Sequence, residues 1–209
     1  MNSLHRTYTG NWFKNRARLN WRVPIVCDAV MDVYRPSSLI DVGCAIAEFV
    51  NEFLKRGVDA YGIEGSTAAI EYIVAPLERI FIADLRKPFE AERYDLAMCL
   101  EVIEHIEPEY EEILLLNLVE LSDRLMLSIA GPEQRGTGHV NLKPMEYWEE
   151  RFDQLGYDRN VIKEERIRAR WTKSRDIKGI KAYYYNLCCF DRRRHAGYHD
   201  DGHATAGDH

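Results

Sequence analysis

The chain has 209 residues, 46% of them hydrophobic and 30% charged, which is enough for one α/β domain and short for two. No apolar run approaches the roughly 20 residues that span a bilayer, and Met1 to Arg22 lacks the apolar core of a secretory signal. A net charge of −6 argues against global attraction to nucleic acid and leaves room only for a local basic face.

Five cysteines (Cys27, Cys44, Cys99, Cys188, Cys189) form no CxxC pair and sit mostly in apolar stretches. Buried, reduced thiols and a reducing, cytoplasmic compartment are the expectation.

From Arg16 to Val33 apolar residues recur at helical spacing, and Pro36 with two serines closes the segment. Residues 1–36 form an N-terminal helical segment whose Tyr8, Trp12 and Arg16 either cover a ligand as a lid or pack against the domain. A rhythm of strands and helices follows: strand Leu39–Val42, helix Glu48–Arg56, strand Ala60–Ile63, short helix Thr67–Ala75 and strand Ile80–Ala83. It continues with strand Tyr94–Leu100, helix Glu109–Leu121, strand Arg124–Ile129 and a helix from Pro144 to Leu155 that Gly156 ends. Such alternation with short links predicts a three-layer α/β fold around a mostly parallel sheet. Val161–Trp171 and Lys181–Phe190 read as two further strands pairing antiparallel, which makes seven in all. The domain spans 1–191. Residues 192–209, rich in Gly, Asp and His, bury too little to offset their ordering entropy, and the four tail histidines read as incidental.

The first strand ends at Asp41 and runs into Gly43, Cys44, Ala45 and Ala47. A strand-to-helix turn there places backbone N–H groups at the switch point of a parallel sheet, and small residues let a ligand approach the main chain. A dinucleotide fingerprint needs glycines at 43, 45 and 48; Ala45 and Glu48 stand instead, and an acid at 48 opposes a pyrophosphate. Further acids follow the second and third strands, Glu64 (then Gly65) and Asp84 (then Leu85), and Leu100–Glu101 closes the fourth.

The spacing D-x-G-x-A-x-A resembles motif I of class I S-adenosylmethionine-dependent methyltransferases, D/E-x-G-x-G-x-G, with Glu64 and Asp84 at the motif II and III positions. The resemblance implies a Rossmann-like, doubly wound sheet with an antiparallel C-terminal strand pair, and an enzyme that uses S-adenosylmethionine. It implies a cofactor site of Asp41, Gly43, Cys44, Ala45, Glu64, Gly65, Asp84, Leu85, Leu100 and Glu101. In it Glu64 accepts from the ribose hydroxyls, and Asp84 with Leu85 holds the adenine. Ala45 and Ala47 replace two family glycines: either they take ordinary dihedrals, or the cofactor is held less well. A binding module without catalysis is the alternative those two residues leave open.

Glu101, Glu104 and His105 stand at i, i+3 and i+4, so a helical turn would put them on one face. Segments of this kind line the cofactor pocket in many class I methyltransferases. A similar E-x-x-E-H segment coordinates a divalent ion in ubiquinone-type O-methyltransferases and in small-RNA 2′-O-methyltransferases, the latter adding a second histidine after the fifth strand. His139 stands there in this chain. The implied metal set is Glu101, Glu104, His105 and His139, suited to Mg²⁺ or Mn²⁺. Without metal, His139 or His105 could serve as general base, with Glu101 beside them.

The segment from Pro132 to Tyr157 resembles bacterial and phage methyltransferases of the sugar or small-molecule O-methylating kind, which implies that a Gly-rich loop carries His139 and Asn141 to the pocket mouth. The expected acceptor is a small, polar, hydroxylated molecule. RNA ribose is the alternative, favoured by eight Lys or Arg against three acids between Lys163 and Lys181. Nothing in the sequence sets the oligomeric state.

Overall fold

The computed structural model describes residues 10–90, 92–173 and 177–193. Helix α1 (Gly10–Arg16), a 3₁₀ segment (Ala17–Arg22) and α2 (Val23–Val33) precede the sheet. Pro24 in the first turn starts α2, and Val23, Val26, Cys27, Ala29 and Val30 form its buried stripe. Then come β1 (Ser38–Val42), α3 (Glu48–Lys55), β2 (Asp59–Glu64), β3 (Ile80–Ile82), β4 (Leu96–Leu100), α4 (Glu111–Leu121) and β5 (Arg124–Ser128). The chain closes with α5 (Met145–Gln154), β6 (Tyr157–Arg159), α6 (Val161–Thr172), α7 (Lys181–Asn186) and β7 (Leu187–Arg192).

The sheet order is β3-β2-β1-β4-β5-β7-β6. Strands β1 to β5 pair parallel, and β7 lies antiparallel between β5 and β6. The central strands are buried on both sides, so successive residues feed two cores. Leu39, Leu96, Met98 and Met126 face α2, α3 and α6, while Ile40, Ala97, Cys99, Leu125 and Leu127 face α4 and α5. The order reverses between β1 and β4, and the carboxyl ends of these strands open the crevice in which such sheets take ligands.

Three sequence expectations are corrected. Val161–Thr172 is a helix, because the Asn160 side chain caps it by accepting from the Lys163 N–H at 3.0 Å, and Glu164, Ile167 and Trp171 bury at helical spacing. The partner of β7 is instead the short strand β6, and the antiparallel pair stands. Lys181–Asn186 is helical, so β7 begins at Leu187 and runs through Arg192, past the expected domain end at 191. Arg193 still donates its backbone N–H to the Gly156 carbonyl at 2.8 Å. The Thr67–Ala75 helix is a 3₁₀ segment, Thr67–Tyr72. Tyr8 and residues 194–209 of the tail expected to be disordered over 192–209 lie outside the described residues.

All five cysteines are buried and unbridged. No helix of the described residues is long and apolar enough to cross a membrane.

Candidate active site

The turn after β1 is built on left-handed backbone: Gly43 has φ +77°, Ala45 +54° and Ala47 +59°. Gly43 is required twice over, since a Cβ there would meet Val102 Cγ2 at 2.5 Å. The alanines therefore keep the glycine-like path despite their Cβ atoms, each at a cost of about 1 kcal/mol. The Glu64 carboxylate, at the end of β2, holds this turn. Its Oε2 accepts from the Ala45 N–H at 2.8 Å, and its Oε1 from the Ser66 N–H at 2.7 Å. Burial pushes the Glu64 pKa upward, and these two N–H groups work against that push. Each oxygen retains a second lone pair for a ligand.

A cavity opens above the strand ends. Gly43 and Ala45 line it from the β1 turn, and Glu64, Gly65 and Ser66 from β2. Leu85 closes the side after β3; Leu100, Glu101, Val102, His105 and Ile106 form the wall after β4; Trp12, Phe13 and Arg16 form a wall from α1. The pocket is apolar with a few charged groups at fixed places, the usual form of a small-molecule site. Asp41 lies behind the wall, 3% exposed, and its Oδ2 has no hydrogen-bond partner among the described residues. Burial first, then the Glu48 and Glu64 charges, raise its pKa to about 7 against the pull of Arg16. The Cys44 thiol is turned into the sheet, where an added Cβ on Gly62 would meet Sγ at 2.7 Å. Asp84 is off the cavity. Arg86 takes both its oxygens, at 2.8 and 3.0 Å, and these bonds hold its pKa below the usual carboxylate range.

The acidic and imidazole groups converge differently from an α-helical turn. Glu101 is left-handed (φ +56°) and Ile103–His105 is a 3₁₀ turn, so the i, i+3, i+4 face does not form. Glu101 instead lines the cavity, its Oε1 accepting from Asn186 Nδ2 at 2.9 Å. Glu104, His105 and His139 meet without it: one ligand atom from each lies within 4.8 Å of the others. His105 Nδ1 donates to the Gly138 carbonyl at 3.0 Å and His139 Nδ1 to the Gln134 carbonyl at 2.7 Å. A carbonyl only accepts, so in the neutral rings the lone pair sits on Nε2. Burial keeps the His105 pKa below its ordinary value, favouring that neutral ring. The Glu104 carboxyl is buried, both oxygens lack a hydrogen bond among the described residues, and burial and then Glu101 raise its pKa.

The loop that brings His139 in is pinned at its far end. Val140 and Asn141 donate their backbone N–H groups to the Glu104 carbonyl at 2.8 and 3.1 Å. The Asn141 side chain does not reach the pocket mouth, as its sequence position suggested. It is buried and donates to Glu111 Oε2 at 2.8 Å, while Tyr147 donates to Glu111 Oε1 at 2.7 Å. Asn186 and Glu111 escaped sequence reasoning because their partners, Glu101 and Asn141, are distant in the chain, and Ser66 because it meets Glu64 through its backbone N–H, which no side-chain motif records.

Comparison with known proteins agrees with this architecture. A family model described as a methyltransferase domain matches residues 12–164. Among curated proteins, no sequence matches the chain. Among solved structures the fold is similar to magnesium protoporphyrin IX methyltransferase from Synechocystis PCC 6803 with bound S-adenosylhomocysteine, at 18% identity, 83% coverage of each chain and TM-score 0.56. It is also similar to the plantazolicin methyltransferase BpumL in complex with a desmethyl-plantazolicin analogue and S-adenosylhomocysteine, at 13% identity, coverage of 88% and 89%, and TM-score 0.58. A third likeness is the methyltransferase domain of bacterial CtHen1, at 19% identity, coverage of 68% and 88%, and TM-score 0.54. The chain belongs to the methyltransferase-domain family and is a class I, S-adenosylmethionine-dependent methyltransferase.

Proposed function

We propose that the enzyme transfers a methyl group to a hydroxyl oxygen of a small polar molecule, with a divalent ion at Glu104, His105 and His139. The observation that carries this reading is the convergence of those three side chains within 4.8 Å beside the cofactor cavity. The donor set fits a metal. Each ring is oriented through Nδ1 by a backbone carbonyl, the usual outer support of a ligating histidine, and a buried carboxylate with two unpartnered oxygens joins them. Two imidazoles and a carboxylate suit a borderline divalent ion such as Mn²⁺, and Mg²⁺ is the occupant that the family resemblance implies. When bound, such an ion would polarise an acceptor hydroxyl and lower its pKa.

In the same reading Glu64 takes the ribose hydroxyls and Leu85 packs on the adenine. Glu101, held by Asn186, receives the proton as the S–CH₃ bond breaks and the O–CH₃ bond forms. The small-molecule acceptor is favoured over RNA by the pairing of the basic C-terminal stretch. Within the stretch Lys163 binds Asp191, Arg168 binds Glu164 and Arg170 binds Asp32, which takes up part of the charge a phosphate backbone would use, and the chain as a whole carries a net charge of −6. The five buried thiols suit a reducing compartment, and we place the enzyme in the cytoplasm.

The test is turnover of labelled S-adenosylmethionine with a panel of hydroxylated acceptors. EDTA should abolish it, Mn²⁺ or Mg²⁺ should restore it, and His139→Ala should lower turnover while sparing cofactor binding. Full activity in EDTA would refute the metal and leave His105 or His139 as general base.

A further inference from the structure

The cofactor of this enzyme ends in an amino acid, so its pocket must accommodate an ammonium and a carboxylate as well as the adenosine. A carboxylate moved out of water without a cationic or hydrogen-bonding partner is strongly disfavoured. Among the described residues lining the cavity, Arg16 is the one with a fixed positive charge. It comes from α1, not from any strand end, and its side chain is 16% exposed.

Its surroundings set the direction of the guanidinium. Nε lies 2.7 Å from Glu48 Oε1, and the same oxygen lies 3.3 Å from Arg22 Nη2. Two guanidinium groups thus share the Glu48 carboxylate, the Arg16 charge also reaches buried Asp41, and the Nη groups of Arg16 keep donors that Glu48 does not take. The outer edge makes one long contact, 3.5 Å from Nη2 to the Tyr183 hydroxyl. Trp12 lies under the guanidinium, 5.5 Å from Cζ to the ring centre, and fixes its plane. A planar, preoriented fork of N–H donors with spare capacity, facing a cavity, is the geometry that recognises a carboxylate bidentately.

We propose that Arg16 binds the α-carboxylate of S-adenosylmethionine, making α1 a part of the cofactor site that recognises the amino-acid end of the ligand. The N-terminal helix then discriminates between cofactors that differ only in that carboxylate. The geometry also separates two roles in the pocket: Glu64 serves the nucleoside and Arg16 the amino acid.

The proposal rests on cofactor binding in this cavity, and its test separates the two. Binding of S-adenosylhomocysteine and of its decarboxylated analogue, which keeps the ammonium and loses the carboxylate, is measured by calorimetry on the wild type, Arg16→Met and Arg16→Lys. The methionine variant should lose about 10- to 100-fold in affinity for S-adenosylhomocysteine, the range of a hydrogen bond between charged groups, and bind the decarboxylated analogue as the wild type does. The lysine variant keeps the charge without the fork and should fall between, and it serves as the folded reference should the methionine variant be unstable. An equal loss for both ligands, or no loss for S-adenosylhomocysteine in either variant, would overturn the assignment. A wild type that binds neither ligand would instead overturn cofactor binding itself.

Discussion

Glu64→Gln is the substitution that probes the cofactor turn most sharply, because one carboxylate holds two backbone segments there. Its oxygens accept from Ala45 N–H at 2.8 Å and Ser66 N–H at 2.7 Å. Glutamine retains one acceptor oxygen and turns an NH₂ toward the other N–H, so one of the two bonds is lost and a buried donor is stranded. A hydrogen bond to a charged group contributes about 1.5–3 kcal/mol, so the fold should lose about 2 kcal/mol. In a chain of this size that lowers the melting temperature by roughly 4–8 °C. The acceptor lone pairs facing the cavity are lost with the charge, and S-adenosylhomocysteine affinity should fall about tenfold or more by the same range of energies. Thermal denaturation followed by circular dichroism reads the first effect, and calorimetric titration of the variant below its melting point reads the second. A variant as stable as the parent and binding as tightly would show that Glu64 neither anchors the turn nor touches the ribose.

Ala45→Gly and Ala47→Gly should each change stability by less than about 1 kcal/mol, since relief of about 1 kcal/mol of left-handed strain is offset by the added entropy of the unfolded chain and the loss of a buried methyl. A loss of about 2 kcal/mol or more at either position in chemical denaturation would contradict that balance. Cofactor affinity should depend on pH through Asp41, which is neutral below about 7 because of burial and of the Glu48 and Glu64 charges, with Arg16 opposing them. An ammonium-bearing ligand favours the ionised carboxylate, so binding releases a proton below that value. S-adenosylhomocysteine should bind about tenfold tighter at pH 8 than at pH 6, and Asp41→Asn should flatten the profile. A flat profile in the parent enzyme would place Asp41 outside the reach of the ligand's charge.

The layered fold was legible because β1, β2, β4 and β5 are short apolar runs separated by amphipathic stretches, a pattern that only a doubly covered parallel sheet satisfies. Residues 161–172 misled because Ile167 and Trp171 bury on a helical period while Arg166, Arg168 and Arg170 alternate as a strand's exposed face would. The Asn160 cap, one residue upstream, was the local signal that decides between them. In the site, Gly43, Glu64, Leu85 and Glu101 line the cavity where strand-end logic puts them. Asp84 stands at its strand end as well, yet Arg86, two residues on, occupies both its oxygens, and spacing alone does not reveal such a competitor. Glu101 fell outside the metal-ligand group because its left-handed backbone breaks the helical face that the i, i+3, i+4 pattern assumes. The alanines at 45 and 47 show the converse: the turn geometry prevails over the residues' own preference, so their identity weakens the motif in the sequence without changing the shape of the pocket.

Methyl transfer here requires that S-adenosylmethionine bind in the cavity between α1 and the ends of β1, β2 and β4. Thermal unfolding of the full chain with increasing S-adenosylhomocysteine tests it most directly. Ligand at 100 times its Kd should add about 2.7 kcal/mol, which raises the melting temperature by several degrees, and the rise should continue with the logarithm of ligand concentration. An unchanged melting temperature at millimolar ligand would contradict that binding.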